Sequence, residues 1–380
     1  MKVIVAVDSF KGSLTSLEAG NAVKAGILRA AAHAKVQVLP LADGGEGTVL
    51  ALTLQTGGRM ERAVVTGPLG EPVECAYGIL TDNTAVIEIA GAAGLTLVRG
   101  KERNPLFTTT YGVGQVIQSA LQKGCRRFLV GLGGSATNDG GIGMLQALGF
   151  GMLNADGEQV SLGAKGLQEL AQITNDNVLP QLKECTFTIA CDVTNPLCGP
   201  QGASAVFAPQ KGGAADIIPL LDEWLSAYAQ LAAKHYANAD PNACGAGAAG
   251  GLGFAFVTFL GATLKSGAQT VLEETGAEAL IKDADVVVTG EGRLDGQSLM
   301  GKAPVALARI AKKYKKPVIA FCGSAGGGAD LCLDAGIDAY FPITREGIPL
   351  EEAMKPEVAT NNLTNTVEQV FRQIQSIKRK

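Results

Sequence analysis

The sequence is poor in the residues that several common chemistries require. It has two histidines and one tryptophan, and aromatic residues make up 5% of its 380 residues. The histidines, His33 and His235, both lie in polar helical surroundings, so Ser-His-Asp catalysis and histidine-bound metals have little to work with. Charged residues make up only 18% of the chain and hydrophobic residues 47%. This balance is typical of a well-packed α/β enzyme and argues against disorder.

Other absences exclude further classes of protein. No stretch approaches the roughly 18 uninterrupted apolar residues of a membrane-spanning helix. The net charge is −4, without a basic block before residues 378–380, which argues against a nucleic-acid partner. The eight cysteines are scattered without a CxxC pair, so we expect reduced thiols and no zinc site. The start of the chain lacks a signal-peptide pattern, and we expect a cytoplasmic protein.

Glycine, in contrast, is abundant, with 50 residues, and one glycine-rich motif stands out. Residues 133–141 read GGSATNDGG between an apolar run at 127–132 and helical spacing at 142–149, which predicts a strand, a glycine turn and a helix start. Glycines bring bare backbone N–H groups close to a ligand, and short polar side chains cap helices or hold anions. The predicted ligand is a phosphate, although a tight capped connection without a ligand is the alternative. The predicted phosphate contacts are Gly133, Gly134, Ser135, Thr137, Asn138 and Gly140.

The length of the chain and the order of its predicted strands and helices indicate two domains. A chain of 380 residues exceeds the ~250–300 at which single cores stop growing. Parallel-type βα units occupy both chain ends, whereas hairpin signals dominate residues 61–98. We therefore predict a discontinuous, doubly wound parallel-sheet domain at 1–60 plus 268–380, with a mixed α/β domain inserted at 61–267.

Polar residues cluster where the predicted strands end. Ligands of open parallel sheets bind beyond the carboxyl ends of the strands, and carboxylates with nearby lysines and glycine-held amides are typical of a magnesium and phosphate site. We assign catalysis to Asp192, as base, and to Lys11. The other predicted contacts are Asp8, Ser9, Ser13 and Asn195 for substrate, Lys302 for phosphate, and Asp43, Glu46, Glu291 and Asp295 for metal. Several of these residues also have a plain structural alternative: an Asx turn for Asp192, helix caps for the four predicted metal ligands and solvation for the two lysines.

Three familiar nucleotide signatures are absent or unsupported. Neither a Walker A sequence nor the protein-kinase motif set occurs. Residues 245–250 fit the letters GxGxxG, but Asp240 and Pro241 stand where a Rossmann site needs a strand. The residues alone therefore predict an enzyme that acts on a small phosphorylated molecule, and no more.

Six motifs in order carry a resemblance to a known family. They are VDSFK at 7–11, LADGGEGT at 41–48, GGSATNDGG at 133–141, ACDVTNPL at 190–197, GAGAAGG at 245–251 and TGEGRLD at 289–295. Together they resemble the bacterial type I glycerate kinases, from about residue 3 to residue 343. The resemblance implies two α/β domains, one of them flavodoxin-like, with the active site in the cleft between them.

The resemblance also implies an activity. The family phosphorylates D-glycerate with ATP and Mg²⁺, usually to 2-phosphoglycerate, in glycolate, glyoxylate or sugar-acid catabolism. The alternatives are 3-phosphoglycerate as product, a nicotinamide-dependent hydroxy-acid oxidoreductase, and a non-enzymatic protein that binds an organic acid. We expect small-molecule partners only, with neither nucleic acid nor membrane, and a homodimer is one option for the assembly.

Overall fold

The computed structural model describes residues 1–41, 47–345 and 347–378. In chain order the strands are β1 Lys2–Val7, β2 Lys35–Val38, β3 Arg59–Thr66, β4 Pro72–Ile79, β5 Thr84–Glu88, β6 Arg127–Gly131, β7 Gly151–Leu153, β8 Gln172–Thr174, β9 Thr186–Ala190, β10 Thr263–Lys265, β11 Val286–Leu294, β12 Val318–Ala325 and β13 Ala339–Pro342. The helices are α1 Ser16–Ala30, α2 Thr48–Thr56, α3 Ala90–Ala93, α4 Tyr111–Gln122, α5 Ile142–Ala147, α6 Lys165–Glu169, α7 Ala203–Phe207, α8 Ile218–Ala233, α9 Ala248–Leu260, α10 Gly267–Glu274, α11 Ala277–Lys282, α12 Ala303–Lys313, α13 Leu331–Asp334, α14 Leu350–Ala353 and α15 Pro356–Lys378. Among the described residues, no helix combines the length and the apolar character needed to cross a bilayer.

The chain folds into two compact units, and the first is discontinuous. It comprises residues 1–43 and 266–380, and the second comprises residues 44–265. The sequence placed the first boundary after residue 60, whereas α2 belongs with the inserted unit. The physical reason is that α2 packs against β4 and β5 of that unit.

The first unit is built on a parallel sheet. Its strand order is β13-β12-β11-β1-β2, and all its pairs are parallel, with Val5 opposite both Val288 and Val38. Numbered within the unit, this is the order 2-1-3-4-5 of the flavodoxin-like doubly wound fold. The predicted fold class is confirmed.

Successive side chains of a strand point to opposite faces of the sheet, and in the first unit helices cover both faces. Val3, Val5 and Val7 of β1 point into a core that includes Ile27 of α1 and Phe371 of α15. The residues between them are also buried, and α12 packs against β1 and β11. A central parallel strand buried on both faces is a continuous apolar run, as the sequence VIVAV at residues 3–7 is.

The second unit is built on a mixed sheet. Its order is β10-β9-β6-β5-β4-β3. The first four strands run parallel, and the hairpin signals correspond to antiparallel pairs between β3 and β4 and between β4 and β5. Stacked Phe128 and Phe187, with ring centroids 4.7 Å apart, tie β6 to β9 in the core.

Helix α9 begins with a turn of the opposite hand. Ala249, Gly250 and Gly251 have φ values of 52°, 70° and 93°, a conformation that costs a residue with a Cβ about 1–2 kcal/mol. At Gly250 a Cβ would overlap the carbonyl oxygen of Thr137, and the N–H of Gly140 donates to the Gly250 carbonyl at 2.9 Å. The left-handed turn therefore places the backbone of Gly250 in direct contact with the backbone of residues 137–140.

Candidate active site

The carboxyl end of β1 begins the candidate site of the first unit. The strands on either side of β1 are β2 and β11, so this is where the strand order reverses and where ligands of such sheets bind. The N–H of Asp8 donates to Gly290 O at 2.9 Å, which places Asp8 beside Glu291 on the neighbouring strand. Asp8 is 6% exposed and accepts a hydrogen bond from the Ser9 N–H at 2.6 Å.

The loop that follows presents the other predicted substrate residues. Lys11 is exposed and Ser13 is half-buried, and the loop closes on itself through Phe10 and Leu14. The hydroxyl oxygen of Ser13 is buried and lacks a hydrogen-bond partner among the described residues. Buried polar atoms are normally paired, and an orphan of this kind calls for an explanation such as an absent ligand or water.

Ser16 ties this loop to the chain before residues 42–46. Its hydroxyl donates to Val7 O at 2.6 Å and accepts from the Leu41 N–H at 2.7 Å. The predicted metal ligands Asp43 and Glu46 lie outside the described residues. Ser16 was not singled out from the sequence, because a Ser at a helix start usually serves only as a cap.

Glu291, another predicted metal ligand, is a buried carboxylate with two protein partners. One oxygen accepts from the Ser298 hydroxyl at 2.5 Å, and the other lies 3.5 Å from the ammonium of Lys302. Burial raises the pKa of Glu291, and the Ser298 hydrogen bond and the Lys302 charge oppose that rise. Lys302, predicted to bind phosphate, precedes the first residue of α12 and thus stands at a helix N-terminus.

Asp295 caps the short 3-10 helix Gly296–Met300. One carboxylate oxygen accepts from the Gln297 N–H at 3.0 Å, and the other lies 3.2 Å from the guanidinium of Arg293. No group of three or more metal-ligating side chains occurs within residues 1–41, 47–345 and 347–378. Of the four predicted metal ligands, the described residues include only Glu291 and Asp295.

In the second unit, the glycine motif follows β6 and divides into an exposed tip and a buried base. Gly133 and Gly134 are exposed, whereas residues 135–141 are buried. Gly134 has a φ of 73°, a conformation that glycine adopts without strain. The carbonyl of Gly134 accepts from the Leu95 N–H, and the Ala136 N–H donates to Ala93 O, both at 2.8 Å.

Three residues predicted to touch phosphate lie in the interior instead. Thr137 and Asn138 are 0% exposed, and the amide of Asn138 donates to the Ser204 hydroxyl at 3.0 Å. The N–H of Gly140 donates a hydrogen bond to the carbonyl oxygen of Gly250. Their contact with a ligand stays a prediction, because the Thr137 hydroxyl and the Asn138 amide oxygen are buried without a hydrogen-bond partner in the described part of the chain.

Two charged residues that hold this loop were missed. Asp139 is fully buried and accepts from the N–H and the hydroxyl of Thr110, both at 2.8 Å, and from the Gly141 N–H at 3.1 Å. Lys211 donates to the Ser135 hydroxyl at 2.8 Å and to Thr137 O at 2.7 Å. Asp139 was visible in the motif itself, whereas Lys211 lies in a PQKGG stretch where a solvated lysine is the ordinary expectation.

The turn after β9 carries the predicted base. Asp192 is exposed at the carboxyl end of that strand. Asn195, predicted to bind substrate, donates its amide to Gln201 O at 2.8 Å and accepts from the Gly247 N–H on its backbone oxygen at 3.0 Å. Asn195 therefore shapes the turn that presents Asp192.

The GxGxxG letters serve packing. A Cβ at Gly247 would overlap Pro196 O, and one at Gly253 would overlap Gly245 O. All residues from Gly245 to Phe256 are buried. These glycines allow close backbone contacts inside the unit, so the segment offers no surface for a dinucleotide.

Both units thus present, at the carboxyl ends of parallel strands, groups suited to anionic ligands. The first offers a lysine, hydroxyls and carboxylates, and the second offers exposed glycine backbone and a carboxylate. Backbone N–H groups and lysines stabilise phosphoryl oxygens, and an exposed carboxylate can accept a proton from an alcohol. Lysines, backbone N–H groups and carboxylates are the kinds of group that phosphoryl transfer uses.

Comparison with known proteins gives a consistent result across the chain. The family model described as Glycerate kinase family matches residues 3–375. The chain is 48% identical to a glycerate kinase of Bacillus subtilis over 356 residues, which cover 93% of both chains. It is 45% identical to the glycerate 2-kinase of Escherichia coli K12, also with 93% of both chains covered.

A solved structure agrees with these sequence comparisons. A crystal structure from Salmonella typhimurium LT2, of a protein assigned as glycerate kinase 2, superimposes with a TM-score of 0.90. Its sequence is 42% identical, and the match covers 100% of both chains.

Proposed function

Because the chain belongs to the glycerate kinase family, a family of phosphotransferases with an alcohol acceptor, we propose that it transfers the γ-phosphoryl group of MgATP to the 2-hydroxyl of D-glycerate. The product is 2-phosphoglycerate, and the proposed setting is glycolate, glyoxylate or sugar-acid catabolism. The observation that carries the proposal is the 45% identity to a glycerate 2-kinase over 93% of both chains.

Residues of the first unit are proposed to bind the acid. The cation of Lys11 is suited to a carboxylate, and Ser9 and Ser13 supply hydroxyls near it in the chain. The orphaned hydroxyl oxygen of Ser13 supports this assignment, since a bound ligand would provide the missing partner. Asp8 fixes the start of the loop through its bond to the Ser9 N–H.

Residues of the second unit are proposed to bind phosphate and to accept the proton. The exposed tip at Gly133 and Gly134 offers backbone to ATP phosphates, and the Ser135 hydroxyl adjoins it. Asp192 is proposed as the base that takes the hydroxyl proton of glycerate, because it is an exposed carboxylate at a strand end. Asn195 keeps the role of shaping the turn.

Glu291 and Asp295 are the described residues that would hold Mg²⁺, which enters as the MgATP substrate. Carboxylate oxygens are the ligands that this ion prefers, commonly one or two of them together with phosphate oxygens. When bound, the ion neutralises charge on the transferring phosphoryl group. The 3.5 Å separation between Glu291 and the Lys302 ammonium leaves that carboxylate oxygen in a loose pair, and Lys302 is proposed to reach phosphate.

A test of the activity measures ADP release from ATP with a panel of acceptors. D-Glycerate is expected to give turnover that disappears when Mg²⁺ is chelated, whereas L-glycerate, glycolate and lactate serve as controls. Equal ADP release with and without D-glycerate, from a protein shown to be folded, would refute the proposal. We also propose a cytoplasmic location, because all eight cysteines are unpaired and free thiols persist in reducing compartments.

A further inference from the structure

Lys211 is a buried cation that the proposed chemistry does not use. It ends the short 3-10 segment Pro209–Lys211 and is only 2% exposed. Lysine is almost never fully buried unless its charge is paired. Both hydrogen-bond acceptors of its ammonium, the Ser135 hydroxyl and Thr137 O, belong to the glycine motif.

A second buried charge holds the other half of the same motif. Asp139 links Thr110, before α4, to Gly141, before α5, through the hydrogen bonds already given. Burial lowers the pKa of Lys211, and the nearby Asp139 carboxylate partly opposes this shift by favouring the protonated lysine. Residues 135–137 are thus held by Lys211 and residues 139–141 by Asp139, while the tip at Gly133 and Gly134 stays exposed.

The two bonds of Lys211 have a specific effect on what the loop presents. Lys211 is the donor in both bonds, so the Ser135 oxygen accepts from it and the Ser135 hydroxyl hydrogen is left to donate to another group. The second bond draws the Thr137 carbonyl towards the interior. A loop that receives an anion must offer donors and turn its carbonyl oxygens away, because those oxygens repel phosphate.

We propose that Lys211 is a positioning residue for ATP phosphate, holding Ser135 as a hydrogen-bond donor and Thr137 O in the interior behind the exposed glycine tip. This inference rests on the proposed function, in which that tip receives the nucleotide. Lys211 itself touches neither substrate nor reacting atoms.

The first test compares Lys211→Met with Lys165→Met, an exposed lysine of the same unit. Lys211→Met is expected to raise KM for ATP about tenfold or more, the size expected when a hydrogen bond to a charged group is lost. KM for D-glycerate is expected to stay within about twofold, since an effect transmitted only through the loop leaves acid binding unchanged. Unchanged KM for ATP in a folded Lys211→Met protein would overturn the proposal, as would an equal rise of both KM values.

A double-mutant cycle with Ser135→Ala tests the route of the effect. If Lys211 acts partly through Ser135, the rise in KM for ATP in the double variant is smaller than the product of the two single rises. Independent, multiplicative effects would contradict the proposed connection.

Hydrogen exchange keeps the inference testable if Lys211→Met does not fold. Ser135→Ala retains the lysine and its bond to Thr137 O, and faster exchange is expected for the amides of residues 133–137 than in the wild type. Unchanged exchange would overturn the positioning role. Because this measurement needs no substrate, it separates failure of the inference from failure of the proposed function, which the acceptor assay reports.

Discussion

Replacing Gly250 with alanine tests whether the left-handed turn of α9 supports the glycine motif. At this position the added Cβ meets two obstacles: a φ of 70° and the carbonyl oxygen of Thr137. The backbone conformation costs about 1–2 kcal/mol, and forcing an extra methyl into a packed interior adds about 1–3 kcal/mol. We therefore expect Gly250→Ala to lower the free energy of unfolding of the second unit by about 2–5 kcal/mol.

Gly261 provides the matched control. It ends the same helix with a φ of 63°, and a Cβ there meets nothing within 4 Å. Gly261→Ala should therefore cost only the conformational part, about 1–2 kcal/mol. The difference between the two variants isolates the contact of the turn with residues 137–140.

The fluorescence of the single tryptophan reports on the second unit alone. Trp224 lies in α8 and packs against the core of the second unit, so its fluorescence reports unfolding of that unit. Thermal midpoints should fall by roughly 2–4 °C per kcal/mol in a domain of this size. Gly250→Ala should fall clearly further than Gly261→Ala, and its KM for ATP should rise. Equal midpoints for the two variants would refute the supporting role of the turn.

Four further predictions concern charges. Lys11→Met is expected to raise KM for D-glycerate about tenfold, because the carboxylate loses its cation. Asp192→Asn is expected to lower kcat on the order of 10²–10⁴-fold, the loss expected for a general base. Ser298→Ala removes a donor from buried Glu291 and disfavours its charged form, so the loss of stability should be larger at pH 8 than at pH 5 in thermal denaturation. For Lys211, burial lowers the pKa from 10.5 to about 7. The unfolded chain therefore binds more protons between these values, and the free energy of unfolding of the wild type relative to Lys211→Met should rise from about pH 7 to about pH 9.

Each of these predictions has a result that contradicts it. A kcat for Asp192→Asn equal to that of Asp176→Asn, an exposed control in the same unit, would remove Asp192 from the base role. Changes in both KM values in Lys11→Met would indicate a general effect on folding. A pH-independent cost of Ser298→Ala would mean that Glu291 does not change its charge in that range, and a flat difference for Lys211→Met would mean that the lysine does not titrate there.

Much of the fold was predictable because its signals are local. Apolar runs such as residues 3–7 and 128–131 became buried parallel strands, since a strand covered on both faces needs an unbroken apolar run. The polar residues that end them fall at one edge of each sheet for the same geometric reason.

The interior of the glycine motif was not predictable in the same way. Thr137, Asn138 and Asp139 have the composition of a ligand loop, yet their burial depends on α7, on α9 and on Lys211, which are distant in sequence. A polar side chain that pairs with a partner far along the chain gives no periodic signal. Composition therefore predicts the loop between β6 and α5 but does not distinguish its exposed tip from its buried part.

Proton-coupled ³¹P NMR tests most directly whether the protein phosphorylates D-glycerate at the 2-hydroxyl. With the protein, MgATP and D-glycerate, we expect a new phosphomonoester signal split by one carbon-bound proton, as in 2-phosphoglycerate. A signal split by two protons would identify 3-phosphoglycerate and contradict the proposed position. Only ATP signals, from a protein shown to be folded, would contradict the activity itself.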